Sequence, residues 1–135
     1  MESIVFTDIT EAQGTVLKKV FDFIANGKQV NRIDEDKLAE LLGVIYETKF
    51  IHTKEESDEW LTKWKTNPDI EAPWDYGSWV DAILNSEIEL DGLKIEINGL
   101  GILTFNQLAW PTGGISALEE LIKIFGGKVI SNDAI

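Results

Sequence analysis

Cysteine is absent from the 135-residue chain, and histidine occurs once, at His52. The first absence excludes disulfides, zinc–thiolate sites and thiol nucleophiles; the second excludes histidine-rich metal sites. Basic residues are scarce, with 12 Lys and Arg against 24 Asp and Glu, a net charge of -12. That balance argues against a general affinity for nucleic-acid phosphates and against a polybasic membrane anchor. No apolar run approaches the roughly 20 residues of a helical membrane span. Met1-Glu2-Ser3 supplies neither a basic nor an apolar leader segment, so a cytoplasmic chain is expected. With 44% hydrophobic and 27% charged residues, one domain over 1–135 with its own core is expected.

Motifs that would specify a reaction are also missing. His52 has no accompanying nucleophile motif, so it reads as a loop histidine rather than a general base. Asp34, Asp36 and Glu40 lack the glycine and terminal glutamate of a calcium loop. Gly126-Gly127-Lys128 follows a helix and precedes a strand, which is the reverse of a phosphate-binding loop, and reads as a helix stop. Trp110-Pro111-Thr112-Gly113-Gly114 has no flanking bases to hold an anion and reads as a turn. No catalytic residue, metal ligand or cofactor is expected.

What is present reads first as helices. Thr10-Glu11-Ala12-Gln13 is a capping box, and Val16, Leu17, Val20, Phe21 and Ile24 share the helical face that follows. Asn26-Gly27 supplies a stop, so the first helix is predicted over 11–26. Asp34 caps a second helix with the stripe Leu38, Leu41, Leu42 and Ile45. Tyr46 to Ile51 reads equally as a helix end or a short extended piece. Thr53 to Glu56 is a second capping box, opening a helix with Trp60, Leu61 and Trp64 on one side. Pro73 fits the first turn of a fourth helix carrying Trp79, Val80, Ile83 and Leu84. Ser116 is the candidate cap of a last helix with Leu118, Leu121, Ile122 and Phe125.

The pattern changes to period two in Ile88, Leu90, Leu93, Ile95 and Ile97. Asp91-Gly92 is a strong hairpin signal that would pair Leu90 with Leu93 and Glu89 with Lys94. A three-residue loop at Gly99-Leu100-Gly101, with Gly101 left-handed, would align Leu103 and Phe105 with Ile95 and Ile97. Residues 88–107 are thus predicted as a three-stranded antiparallel meander. Ser3 to Phe6 reads as a strand or a docked arm, and Lys128 to Ser131 as a final strand. The expected fold class is α+β: N-terminal helices packed on the meander, then a helix and a short C-terminal strand.

The unusual stretch is 55–81, where eight acids stand against Lys63 and Lys65, with Trp60, Trp64, Trp74, Tyr76 and Trp79 interleaved. Trp60 and Trp64, at i and i+4, read as core-facing, and Trp79 lies on an apolar stripe with Ile83. Trp64, Trp74 and Tyr76 remain as candidate exposed anchors, since Trp and Tyr combine rigid area with a polar handle. The candidate partner-binding residues are Glu55, Glu56, Asp58, Asp69, Glu71, Trp74, Asp75 and Tyr76. Carboxylates in this arrangement would steer a basic partner and speed its encounter.

In size, charge and organisation the chain resembles the immunity proteins of bacterial polymorphic and contact-dependent inhibition toxins. The resemblance implies a protein inhibitor whose partner is a basic protein, a toxin domain and in particular a nuclease, with no direct nucleic-acid or membrane contact. Two other classes stay open: a phage anti-CRISPR protein or DNA mimic, and an enzyme or small-ligand domain with a site under the Trp110–Gly114 turn.

Overall fold

The computed structural model describes residues 2–50, 54–67, 75–108 and 113–133. Nine regular elements and one π-helical turn occupy them. They are β1 (Glu2–Thr7), α1 (Glu11–Gln29), α2 (Glu35–Leu42), a π turn (Tyr46–Phe50), α3 (Lys54–Thr66), α4 (Tyr76–Leu84), β2 (Ile88–Ile95), β3 (Gly101–Gln107), α5 (Gly113–Ile124) and β4 (Lys128–Asn132). The class is α+β, but the sheet is four-stranded and antiparallel in the order β2-β3-β1-β4. The three-stranded meander is therefore corrected to one hairpin, β2–β3, joined by the first and last strands of the chain.

The source of that correction is Asp91-Gly92. β2 runs straight through these residues, with Leu90 opposite Phe105 and Gly92 opposite Thr104, which leaves Asp91 as an extra residue. This is a β-bulge, and Thr104 Oγ1 donates to Asp91 Oδ2 across it at 2.9 Å. A bulge and a two-residue hairpin both reverse the inward–outward phase of a strand. Hence the apolar pattern that reads as two strands belongs to one strand with a phase step. The real turn lies at Ile97-Asn98-Gly99, where Glu96 N–H donates to Leu100 O and Gly99 N–H to Glu96 O. Gly99, with φ +85°, takes the left-handed position expected of Gly101. Leu103 faces Leu93 and Ile95 faces Gly101, so the strands do share the expected apolar face, while Ile97 leaves it entirely.

One face of the sheet carries Ile4, Phe6, Leu103 and Phe105, all fully buried. Ser3, Val5, Ile102 and Thr104 lie on the other face and are half-exposed. On the buried face α1 packs against β2, α5 packs against β4, α2 joins α1, and α4 joins α5. α1 has the predicted capping box at Thr10 and Gln13 and the predicted buried stripe. It does not stop at Gly27. The helix continues to Gln29, and Asn31, at φ 55°, is the left-handed terminator. Gly27 instead lets the following chain fold back, since a Cβ there would lie 2.9 Å from Arg32 O and 2.7 Å from Ile33 Cγ1.

Asp34 caps α2 as expected, accepting from the Asp36 and Lys37 N–H groups. Ser116 is not a cap, because α5 already begins at Gly113. The stop of α5 is the expected one: Gly126 is left-handed, and Gly127 N–H reaches back to Ile122 O. Leu118, Leu121, Ile122 and Phe125 are all buried. Trp79 is fully buried, and its Nε1–H donates to Ala117 O at 2.9 Å, which ties α4 to α5.

Deleting residues 113–135 should unfold the domain, because it removes the buried side chains of α5, Leu118, Leu121 and Ile122 among them, with Phe125 and the whole of β4. Loss of the cooperative urea transition followed by circular dichroism is the expected result. Gly99, in the turn, and Gly92, beside the bulge, should behave differently. Gly99→Ala should cost about 1–3 kcal/mol, from positive φ and a Cβ 2.9 Å from Ile9 O. Gly92→Ala, whose Cβ meets only Thr104 Oγ1 at 3.3 Å, should cost less than about 1 kcal/mol in the same denaturation experiment.

Candidate functional site

α3 is a helix without a core. None of its described side chains is buried, whereas every other helix with four or more described side chains contributes buried residues. Trp60 is half-buried, and Leu61 and Trp64 are 45% and 44% exposed. The expectation that Trp60 and Trp64 face the core is therefore corrected. Their spacing does bring them together, but against each other, with ring centroids 6.4 Å apart and planes 24° from parallel. Helical period alone identifies which residues share a face, and that face meets solvent here, while α1 and α5 pack on the sheet's buried side.

The helix is organised by charge. Glu55, Glu56 and Asp58 are exposed in its first turns, and Lys63 and Lys65 occupy its last turn. This arrangement complements the helix dipole. Lys63 Nζ lies 3.5 Å from Glu59 Oε1 at i, i+4. Exposed pairs of this kind contribute a few tenths of a kcal/mol. The Thr53 cap falls outside the described residues, as do Asp69, Glu71, Trp74, His52 and the Trp110–Thr112 turn.

Asp75 and Tyr76 open α4, which starts later than Pro73 would place it. Asp75 is the N-cap, accepting from Ser78 N–H at 2.8 Å and from Ser78 Oγ at 2.7 Å. The Ser78 hydrogen bonds hold its carboxyl below the usual carboxylate range. Tyr76 is half-buried. Its hydroxyl donates to Glu35 O, and its ring meets Tyr46 edge-on at a centroid distance of 4.8 Å. Phe50 and Trp79 complete the aromatic cluster. Burial first, then the Glu35 carboxylate, pushes the Tyr76 phenol well above its ordinary pKa.

The Tyr76–Glu35 contact joins the N-termini of α2 and α4. It brings the carboxylates of Glu35 and Asp36 to bear on Tyr76, a juxtaposition that sequence reasoning did not assemble. Nothing local announces a contact across 41 positions. Lys28 links the other end of α4 to α1, with Nζ donating to Ile83 O at 2.6 Å and to Ser86 O and Oγ at 3.0 Å. Desolvation lowers its pKa. These three acceptors make Lys28 a clasp for the helix end. Among the described residues no cluster of three or more His, Asp or Glu is placed to hold a metal ion.

The chain matches no known family model, curated protein or solved structure. The reading of the site accordingly rests on its own geometry. Within that geometry Tyr76 is the clearest structural contact, and it carries a prediction. Tyr76→Phe should cost about 0.5–1.5 kcal/mol through the lost hydrogen bond to Glu35 O. A raised phenol pKa means that the unfolded chain ionises first. Tyr76 therefore contributes stability below the ordinary phenol pKa, and that contribution is lost as pH rises above it. Tyr76→Phe should flatten this alkaline loss in urea midpoints measured across pH 8–11.

Proposed function

We propose that the protein is an acidic inhibitor of a basic protein, acting as an immunity protein that binds and neutralises a bacterial toxin domain, most naturally a nuclease. The observation that carries this reading is α3. A helix that buries no described side chain, yet presents Trp64 and Leu61 beside Glu55, Glu56 and Asp58, has the composition of a binding surface. Exposed tryptophan is costly in water and productive at an interface, where Trp is enriched among residues that dominate affinity. The carboxylates supply long-range attraction to a cationic cleft, in the place where substrate phosphates would lie.

The contact in this reading runs from the first turns of α3 to the N-terminus of α4 at Asp75 and Tyr76, and takes in Asp69, Glu71 and Trp74. A DNA mimic would carry carboxylates along the length of one face. On α3 they occupy the first half, and Lys63 and Lys65 close the helix. The inhibitor reading therefore fits α3 better than the mimic.

The test takes as its binding probe the product of the gene immediately upstream, which this reading expects to be a toxin with a basic C-terminal domain. Raising salt from about 0.05 M to about 0.5 M shortens the Debye length from roughly 14 Å to roughly 4 Å. The association rate measured by stopped flow should fall steeply. Reversing Glu55, Glu56 and Asp58 together should slow association with the fold intact. Trp64→Ala and Trp74→Ala should act mainly by speeding dissociation. A salt-independent association rate, with the triple reversal binding as wild type does, would sink the proposal.

A further inference from the structure

The edge of the sheet at β2 carries an inference independent of α3. β2 borders β3 on one side and no described strand on the other. Leu108 N–H donates to Glu87 O, and Glu96 N–H donates to Leu100 O, so both ends of the strand turn Glu87 and Glu96 toward β3. Backbone alternation, reset once by the bulge at Asp91, then aims the N–H and C=O groups of Ile88, Leu90, Leu93 and Ile95 outward.

The bulge makes this edge complementary to itself. Consider two copies of β2 lying antiparallel, centred between Asp91 and Gly92. Ile88 then meets Ile95, Leu90 meets Leu93, and Glu89 meets Lys94, each pair occurring twice. In a regular strand these partners would lie on opposite faces, because their numbers differ by an odd count. Here the phase step puts the four apolar residues on the buried face and leaves Glu89 and Lys94 together on the open face. The outward-pointing residues also pair with outward-pointing residues, as an antiparallel ladder requires. We propose that a second copy of this chain docks on β2 across a two-fold axis, joining the two four-stranded sheets into one of eight strands.

Charge favours a second copy over an unrelated strand. Glu89 and Lys94 are exposed, and neither forms an ion pair among the described residues. The dimer places each directly opposite the other's counterpart. Shape agrees. Residues 93–97 of β2 and its turn line a groove of about 560 Å³ against Gly14 and Thr15 of α1. Residues 86–90 line a second groove of about 660 Å³, with Leu84 and Leu108 in its wall. The two-fold pairing lays each groove of one copy against the other groove of its partner. Ile97, 103% exposed in the single chain, thereby comes opposite Ser86, at the groove that Leu108, itself 66% exposed, also lines. Two like-charge approaches accompany the pairing: Glu87 to Glu96, beyond the strand ends, and Asp91 to its own counterpart beside the two-fold axis, where each carboxylate accepts from Thr104 Oγ1.

Sedimentation velocity and native mass spectrometry over micromolar concentrations provide the test. The wild-type chain should dimerise. Glu89→Lys and Lys94→Glu should each weaken the dimer at least about tenfold, because each places like charges opposite one another twice. An equimolar mixture of these two variants should form heterodimers of wild-type strength, since each then offers the charge that the other needs. The double variant Glu89→Lys/Lys94→Glu should recover the homodimer. These last two measurements separate lost pairing from lost folding in either single variant. A wild-type chain that stays monomeric, a single reversal that dimerises as wild type does, or a mixture that stays monomeric would each overturn the proposal.

Discussion

β1 is paired on both sides, and the rest of the architecture follows from that constraint. Glu2 to Phe6 lie against β3, and Ile4 to Thr7 lie against β4. The first described strand thus sits inside the sheet, with its register set by segments about a hundred residues away. Ser3 and Asp133 lock the junction: Ser3 N–H donates to Asp133 Oδ1 at 2.6 Å, and Asp133 N–H returns to Ser3 O at 3.2 Å. With both of its edges paired, β1 can present side chains only to the two faces. Ile4 and Phe6 go to the buried one. Gly101, directly across from Phe6, leaves room for that ring, which a side chain at position 101 would overlap. α5 must then carry the chain back across the same face to lay β4 beside β1. Its buried stripe, clasped to Trp79 through Ala117 O, does so.

Elements bounded by local chemistry were legible in the sequence. The capping box at Thr10, the cap at Asp34 and the left-handed glycine after α5 are each decided within about six residues. What was not legible depended on distance. The central place of β1 is set by residues 101–105 and 128–132, which no local pattern reveals. The Asp91 bulge and a hairpin at the same site impose the same phase reversal on side chains. Only the partner strand distinguishes them, and that partner is β3. Gly27 looked like a stop because a glycine after a helical stripe is usually one. Its buried contact with Arg32 and Ile33 shows that close approach selected it. For the candidate site, the exposed acids of α3 were readable from their position in a first helical turn. Spacing left Trp64 open between a core-facing residue and an exposed anchor, because it specifies which residues share a face and not what that face meets.

The two surfaces differ in what stabilises them. α3 is 13 residues long, near the lower limit at which a helix holds without tertiary support. Its dipole-matched charges, the Lys63–Glu59 ion pair and the Trp60–Trp64 stack supply local stabilisation, each of modest size. A partner that covered Trp64 and Leu61 would add the apolar burial that the helix lacks within the chain. β2 is the opposite case. Its conformation is fully specified by β3 and by the α1 face above it, so docking there costs little ordering. Its unmet demand is the outward row of backbone groups at Ile88, Leu90, Leu93 and Ile95.

A sheet with two edges can associate in an open or a closed way. β2 of one copy meeting β4 of the next would leave an edge free at each end and continue without limit, as heterologous contacts do when rotation does not close them. β4 is poorly built for that role. It has five residues, it carries the extra residue Ile130 opposite the Val5–Phe6 step of β1, and its only charge is Lys128. Short, bulged edge strands resist further pairing. β2 has a bulge too, but it stands at the centre of an eight-residue strand with opposite charges on either side. At that position a bulge leaves both halves of the strand straight and brings them into phase with an inverted copy of themselves. The same irregularity that discourages an arbitrary strand at one edge therefore selects a single partner at the other. Pairing through β2 closes after two copies, and the edge that remains is the one least able to extend the sheet.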